Sequence, residues 1–179
     1  MRKLSMEALN RKSVEEFRKA EKIPVIAVLE NIRSAYNVGS VFRTADAFLL
    51  EGIYITGYTA RPPHKEISKT ALGAEESVDW KYFASTAEAI ADLRGRDYEV
   101  WAVEQASGSR NLEEFGEWGC QRAAFVFGNE VTGVEESTIS LCDDCIEIPQ
   151  FGMKHSLNIA VAAGIVLWEA TKALSMKTN

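Results

Sequence analysis

Short apolar runs alternate with segments of helical spacing along almost the whole chain, and no other feature of the sequence narrows its fold so far. Pro24 to Leu29, Ile53 to Thr56, Tyr98 to Val103, Ala123 to Phe127 and Cys145 to Ile148 are short and rich in β-branched or aromatic residues, and read as strands. Between them, Ser13 to Lys22, Val38 to Leu49, Ser85 to Arg94, Glu135 to Leu141 and Ser156 to Ala173 carry helical patterns. Ser85-Thr-Ala-Glu88 supplies a capping box for the third. Strands of this kind separated by helices predict an α/β fold, a mainly parallel sheet with helices on both faces. At 179 residues with 46% apolar composition, the chain has material for one core rather than two. It divides into a basic N-terminal helical arm, residues 1–22, and one domain, residues 23–179.

The last helix adds a second constraint. Leu157, Ala160, Val161, Gly164, Ile165 and Trp168 form one apolar stripe, and Ile159, Ala162, Ala163, Val166, Leu167 and Ala170 form another on the opposite side. A helix without a polar face must be covered twice, by its own sheet and by something else. A partner subunit or full enclosure within the domain would each satisfy that requirement.

Charge is unevenly spread. The chain carries a net −6, but residues 1–22 hold seven basic and four acidic side chains, so the arm is basic and the body acidic. The arm reads equally as a solvated amphipathic helix or as a phosphate contact. No apolar run reaches the ~20 residues of a membrane span and the start lacks the apolar core of a signal, which points to the cytoplasm. Cys120, Cys142 and Cys145 are too few for a disulfide framework, and Cys142-Asp-Asp-Cys145 has no second pair to complete a zinc site, so packing thiols and no metal are expected.

Three segments carry candidate chemistry. The first runs from Asn31 through Asn37-Val-Gly39-Ser-Val-Phe-Arg43-Thr-Ala-Asp46; Asn37 is placed to cap a helix, and Arg43 could pair with Asp46 three residues on. The second, Phe127-Gly128-Asn129-Glu130-Val-Thr-Gly133, takes a strand into a turn with two glycines, at the end of a strand where ligands bind in such sheets. The third runs from Ile148-Pro149 through Gly152-Met153 and His155 to Ser156-Leu157-Asn158, with Ser156 as candidate N-cap of the apolar helix. His155 is a candidate general base with no obvious nucleophile to serve. Arg61-Pro-Pro-His64 opens a long polar connection that reads as a substrate loop.

In order and spacing these segments resemble the three motifs of the SpoU (TrmH-like) 2′-O-ribose RNA methyltransferases of the SPOUT superfamily, over Pro24 to Ala170. The resemblance implies a deep C-terminal trefoil knot and an obligate homodimer. It implies S-adenosylmethionine held by Gly128, Ile148 and Leu157, largely through backbone groups, with Asn129 and Met153 nearby. It implies a catalytic set of Arg43, Asn37, Glu130, Ser156 and Asn158, Arg43 reaching the site from the partner. The expected substrate is RNA, transfer RNA ahead of ribosomal RNA, gripped by the arm, by the region of Arg61, Lys65 and Lys69, or by a dimeric groove. An RNA-binding module without turnover and an unrelated small-ligand α/β protein are the competing readings, and cofactor binding separates them.

Overall fold

The computed structural model describes residues 3–4 and 12–175; most of the first half of the basic arm lies outside the described residues. The strands are β1 (Ile23–Glu30), β2 (Leu50–Thr56), β3 (Trp80–Phe83), β4 (Glu99–Val103), β5 (Arg110–Asn111), β6 (Ala123–Phe127) and β7 (Asp144–Glu147). They form one sheet in the order β3-β2-β1-β6-β4-β7-β5, with every pairing parallel. The helices are α1 (Val14–Lys19), α2 (Ala35–Ala47), α3 (Lys65–Ala71), α4 (Ala74–Ser77), α5 (Thr86–Arg94), α6 (Glu136–Ile139) and α7 (Ile159–Ser175).

Alternation along the central strands divides the interior into two cores. Val25, Ala27 and Leu29 of β1 and Phe125 and Phe127 of β6 meet α2, α3 and α7 on one side, while Ile26, Val28, Ala124 and Val126 meet Ile90 and Leu93 of α5 on the other. Strands sandwiched in this way are apolar at consecutive positions, hence their legibility as short runs. The basic arm is less separate than its composition suggests. Ser13 and Glu16 close a capping box on α1, Phe17 is buried in the first core, and Arg18 donates to the Glu76 carbonyl of α4 (2.6 Å).

Several boundaries differ from expectation. Two strands, β3 and β5, lie at the sheet edges and are only four and two residues long, too short to show a period. The polar connection after β2 holds α3 and α4; His64 caps α3, its Nδ1 accepting from the Glu66 N–H (3.2 Å). Helix α2 begins one turn before the expected start because Ser34, not Asn37, caps it. Asp46 accepts a hydrogen bond from Ser77 Oγ (2.7 Å) rather than pairing with Arg43. Ser156 lies ahead of α7, and Asn158 takes the capping role through Oδ1, which accepts from the Ala160 N–H (2.9 Å).

Both stripes of α7 are present as expected. Ile159, Ala163, Val166, Leu167, Ala170 and Leu174 are buried in the core, whereas Val161, Ile165 and Trp168 face outward, Val161 being 52% and Trp168 49% exposed; Leu157 lies ahead of the helix. No described helix is long and apolar enough to cross a membrane.

Candidate active site

The site is built where β4, β6 and β7 end. Beyond β6 the chain folds back on itself: the Asn129 N–H donates to the Gly133 carbonyl (3.0 Å) and the Gly133 N–H to the Asn129 carbonyl (2.9 Å). That reversal leaves no room for a side chain at Gly128, where a Cβ would collide with the backbone of Gly133 and Val134. Gly133 has φ +71°, and a Cβ there would strike the Glu104 carboxylate. Between this turn, the end of β4 and the loop 147–158 lies a cavity of about 650 Å³, lined by Glu104, Gly128, Ile148, Ser156 and Leu157 among others.

A chain of polar side chains ties the cavity to α2. Glu130 accepts from the Arg33 N–H (2.9 Å), the Ser34 N–H (3.1 Å) and Asn37 Nδ2 (3.0 Å). Asn37 Oδ1 in turn accepts from Asn158 Nδ2 (3.3 Å), the residue that caps α7. Asn37, Glu130 and Asn158, one from each motif segment, therefore form one connected unit. Partial burial by itself would push the Glu130 carboxyl up, but hydrogen bonds from the Arg33 amide, Asn37, its own backbone and Ser34 outweigh it and hold the group below the usual carboxylate range. Glu130 is thus a weak base and a strong anchor.

A carboxyl with a depressed folded value contributes stability that is present above its unfolded value near 4.5 and is lost as pH falls through the folded value. Because Glu130 is exposed, the contribution is small. Thermal melts between neutral and acid pH are expected to show a shallower acid limb for Glu130→Gln than for the native chain; superimposable limbs would contradict the anchoring role.

Ser156, Leu157 and Asn158 line the cavity, as does Ile148. Asn129 also lines it, but its side chain is fully engaged, donating to the Asn31 carbonyl (2.8 Å) and Tyr58 Oη (2.6 Å) and accepting from the amides of Val131 and Thr132. It shapes the turn and has little left to offer a ligand. Met153 stands outside the lining, 86% exposed, because its loop swings into solvent. His155 lines the cavity, yet its ring makes no hydrogen bond among the described residues; its carbonyl accepts from Gln105 Nε2 (3.0 Å).

Arg43 is not in this cavity. It lies six residues beyond Asn37, roughly 9 Å along the α2 axis, and borders a second hollow with Lys12, Ser13 and Leu72. Among the described residues it makes no hydrogen bond or ion pair. Glu104 was not anticipated from sequence; its Oε2 accepts from the Val134 N–H (3.1 Å) and its Oε1 from the Gln105 N–H (2.9 Å). The available signal was its position one residue past the β4 run, where parallel sheets place their ligand-facing residues. Among the described residues no group of three or more His, Cys, Asp and Glu could hold a metal ion. Burial first, then the neighbouring Cys145 and Asp143, pushes the Cys142 thiol up to about 12, as suits a packing cysteine.

Three separated segments thus meet in one place, in a sheet whose order is fixed by six parallel pairings. The model of the SpoU rRNA Methylase family matches residues 24–168. The chain belongs to the SpoU methylase family. Among relatives, this SpoU chain is 30% identical over 160 residues to the 23S rRNA (guanosine-2′-O-)-methyltransferase RlmB of Neisseria meningitidis, covering 87% of its own length and 61% of that protein. It is 29% identical over 162 residues to the tRNA (guanosine(18)-2′-O)-methyltransferase of Thermus thermophilus, covering 90% of itself and 81% of that enzyme. Among solved structures, the AdoMet-bound rRNA methyltransferase of Sinorhizobium meliloti superposes with a TM-score of 0.78 at 28% identity, over 88% of this chain and 60% of that one. The A. aeolicus TrmH/SpoU tRNA modifying enzyme shares the fold, with a TM-score of 0.80 at 24% identity over 92% and 82% of the two chains.

Proposed function

We propose that this SpoU-family chain transfers a methyl group from S-adenosylmethionine to a ribose 2′-hydroxyl of RNA, transfer RNA ahead of ribosomal RNA. The observation that carries the reading is the union of three motif segments around one cavity, with Asn37, Glu130 and Asn158 hydrogen-bonded in series. Relatives that act on transfer RNA and on 23S rRNA match the chain alike, and the preference for transfer RNA rests on analogy with compact members of the family. Both relatives act on RNA, which supports a cytoplasmic location.

The cavity suits the cofactor. The Gly128 turn lets backbone approach a ligand closely, Ile148 and Leu157 offer apolar walls, and between Gln150 and Leu157 no amide donates a backbone hydrogen bond among the described residues, leaving donors for a polar ligand. Gly128, Ile148 and Leu157 would hold S-adenosylmethionine, with Glu104 and Ser156 within the same walls. When bound, it supplies an electrophilic methyl on a sulfonium. The chain's part is to bring a ribose oxygen into line with that methyl and to stabilise the charge left as its proton departs. A guanidinium has five N–H donors and no acceptor, so Arg43 acts by holding the adjacent phosphate and the developing alkoxide. Glu130, Asn37 and Asn158 position the surrounding loops.

Homodimerisation completes the site. The outward stripe of Val161, Ile165 and Trp168 supports it, as does the placement on α2, which packs beside α7, of an Arg43 with no polar partner among the described residues. The reading includes a deep trefoil knot near the C-terminus; β6 enters between β1 and β4, and β7 between β4 and β5, so the chain returns twice into a sheet already laid down. Calorimetry is expected to show S-adenosylmethionine binding at one site per chain without added metal, on a protein that light scattering reports as a dimer. No heat of binding, or a fully active monomer, would sink the proposal.

A further inference from the structure

Of the five tyrosines, Tyr54 and Tyr98 are buried, while Tyr36, Tyr58 and Tyr82 are exposed at 42%, 64% and 41%. All three exposed rings lie at the carboxyl ends of adjacent strands: Tyr36 in the first turn after β1, Tyr58 just past β2, and Tyr82 in the last pair of β3. Each is fixed rather than free. Tyr58 Oη accepts from Asn129 Nδ2 (2.6 Å), Tyr82 Oη donates to the Gly57 carbonyl (3.2 Å), and Tyr36 Oη accepts from Lys69 Nζ (3.4 Å). Cations accompany the rings, the Arg61 guanidinium 3.9 Å above the centre of Tyr82 and Lys69 Nζ 5.7 Å from that of Tyr36.

Cations line this edge. Segments 31–37 and 57–70 hold Arg33, Arg61, Lys65 and Lys69 against Glu66, while Glu130 and Glu135 reach the same edge and are bonded to the Arg33, Ser34, Asn37 and Asn31 N–H groups. The strip is also continuous with the cavity: Tyr36 precedes Asn37 of the polar chain, and Tyr58 is bonded to Asn129 of the cavity turn. Anchored rings interleaved with cations form a surface on which bases stack while phosphates meet positive charge. A duplex keeps its bases stacked internally and cannot use such rings, whereas a single strand can.

From this we infer that the rim formed by Tyr36, Tyr58, Tyr82, Arg61 and Lys69 is a stacking platform for unpaired RNA nucleotides flanking the one in the cavity. The inference rests on the RNA methyl transfer proposed above, and it narrows the substrate to a loop or single-stranded segment.

The test is direct binding, without turnover, of an end-labelled unstructured oligoribonucleotide and of a duplex of equal length, by fluorescence anisotropy at several salt concentrations. Tyr82→Leu and Tyr58→Leu, each checked for an unchanged melting temperature, are expected to weaken the unpaired RNA roughly tenfold per lost stack while leaving the duplex unaffected. Tyr58→Phe retains the ring and is expected to bind as the native chain does. Arg61→Ala is expected to reduce the dependence of log affinity on log salt by about 0.7, the value for one phosphate contact on a single strand. Equal binding of unpaired RNA by native protein and both leucine variants would overturn the platform, as would equal competition by a polyglutamate peptide against native and variant chains. If native protein binds the unpaired RNA through these residues yet methylates nothing, the platform stands and the methyl transfer fails; methylation untouched in the variants gives the reverse.

Discussion

Arg43→Ala is expected to lower methyl transfer by about 10³-fold or more while the affinity for S-adenosylmethionine stays within about twofold; the rate loss is that of removing a donor to developing charge. The division follows from position. Arg43 touches no part of the cavity wall in its own chain and makes no polar contact among the described residues, so its loss leaves the walls formed by Gly128, Ile148 and Leu157 as they were. Single-turnover kinetics beside calorimetry reads both quantities. Parallel loss of the two would mean that Arg43 supports the cofactor cavity and has no role toward RNA.

Gly128→Ala is expected to lower cofactor affinity by two orders of magnitude or more, with a stability cost of about 1–3 kcal/mol from overpacking. The added Cβ collides with the Gly133 carbonyl carbon and the Val134 amide, and these are backbone atoms that cannot rotate away. The turn must open, and with it go the Asn129–Gly133 pair of hydrogen bonds and the wall they hold. The clash lies beyond the end of β6, so the two cores beneath it remain packed. Native-like cofactor binding by Gly128→Ala would show that the cavity is not the cofactor site.

The two variants together test the shared site. One chain lacks Arg43 but keeps a sound cavity, and the other has the reverse, so a mixed dimer contains one complete site if Arg43 crosses to its partner. Co-expression in equal amounts is then expected to restore about a quarter of native activity, half the dimers being mixed and each having one working site. No recovery would place Arg43 and the cavity in the same subunit.

Much of the fold was legible because the sheet is buried on both faces. β1 and β6 read as apolar runs since consecutive residues enter different cores, and Ser85-Thr-Ala-Glu88 announced α5 because its cap is local chemistry. The edges were not legible: half-exposed Trp80–Phe83 pairs only with β2, and two residues of β5 have no period. Two helix caps fall away from the positions that local spacing predicts. Asn37 and Ser156 both have suitable side chains, but Asn37 is drawn sideways to Glu130, and the cap of α7 falls two residues later to Asn158, which also reaches Asn37. Such ties link residues 93 and 121 positions apart, and local spacing does not encode them. Glu104 and the tyrosine rim were hidden likewise, since only the folded sheet brings the strand ends to one edge.

Incubation of the native protein with methyl-labelled S-adenosylmethionine and RNA from cells lacking this protein, followed by nuclease digestion and mass spectrometry, tests the proposed reaction most directly. Label recovered on a 2′-O-methyl nucleoside at one position in an unpaired segment of a single RNA is the expected result. Label on a base, or none despite confirmed cofactor and RNA binding, would contradict ribose methyl transfer.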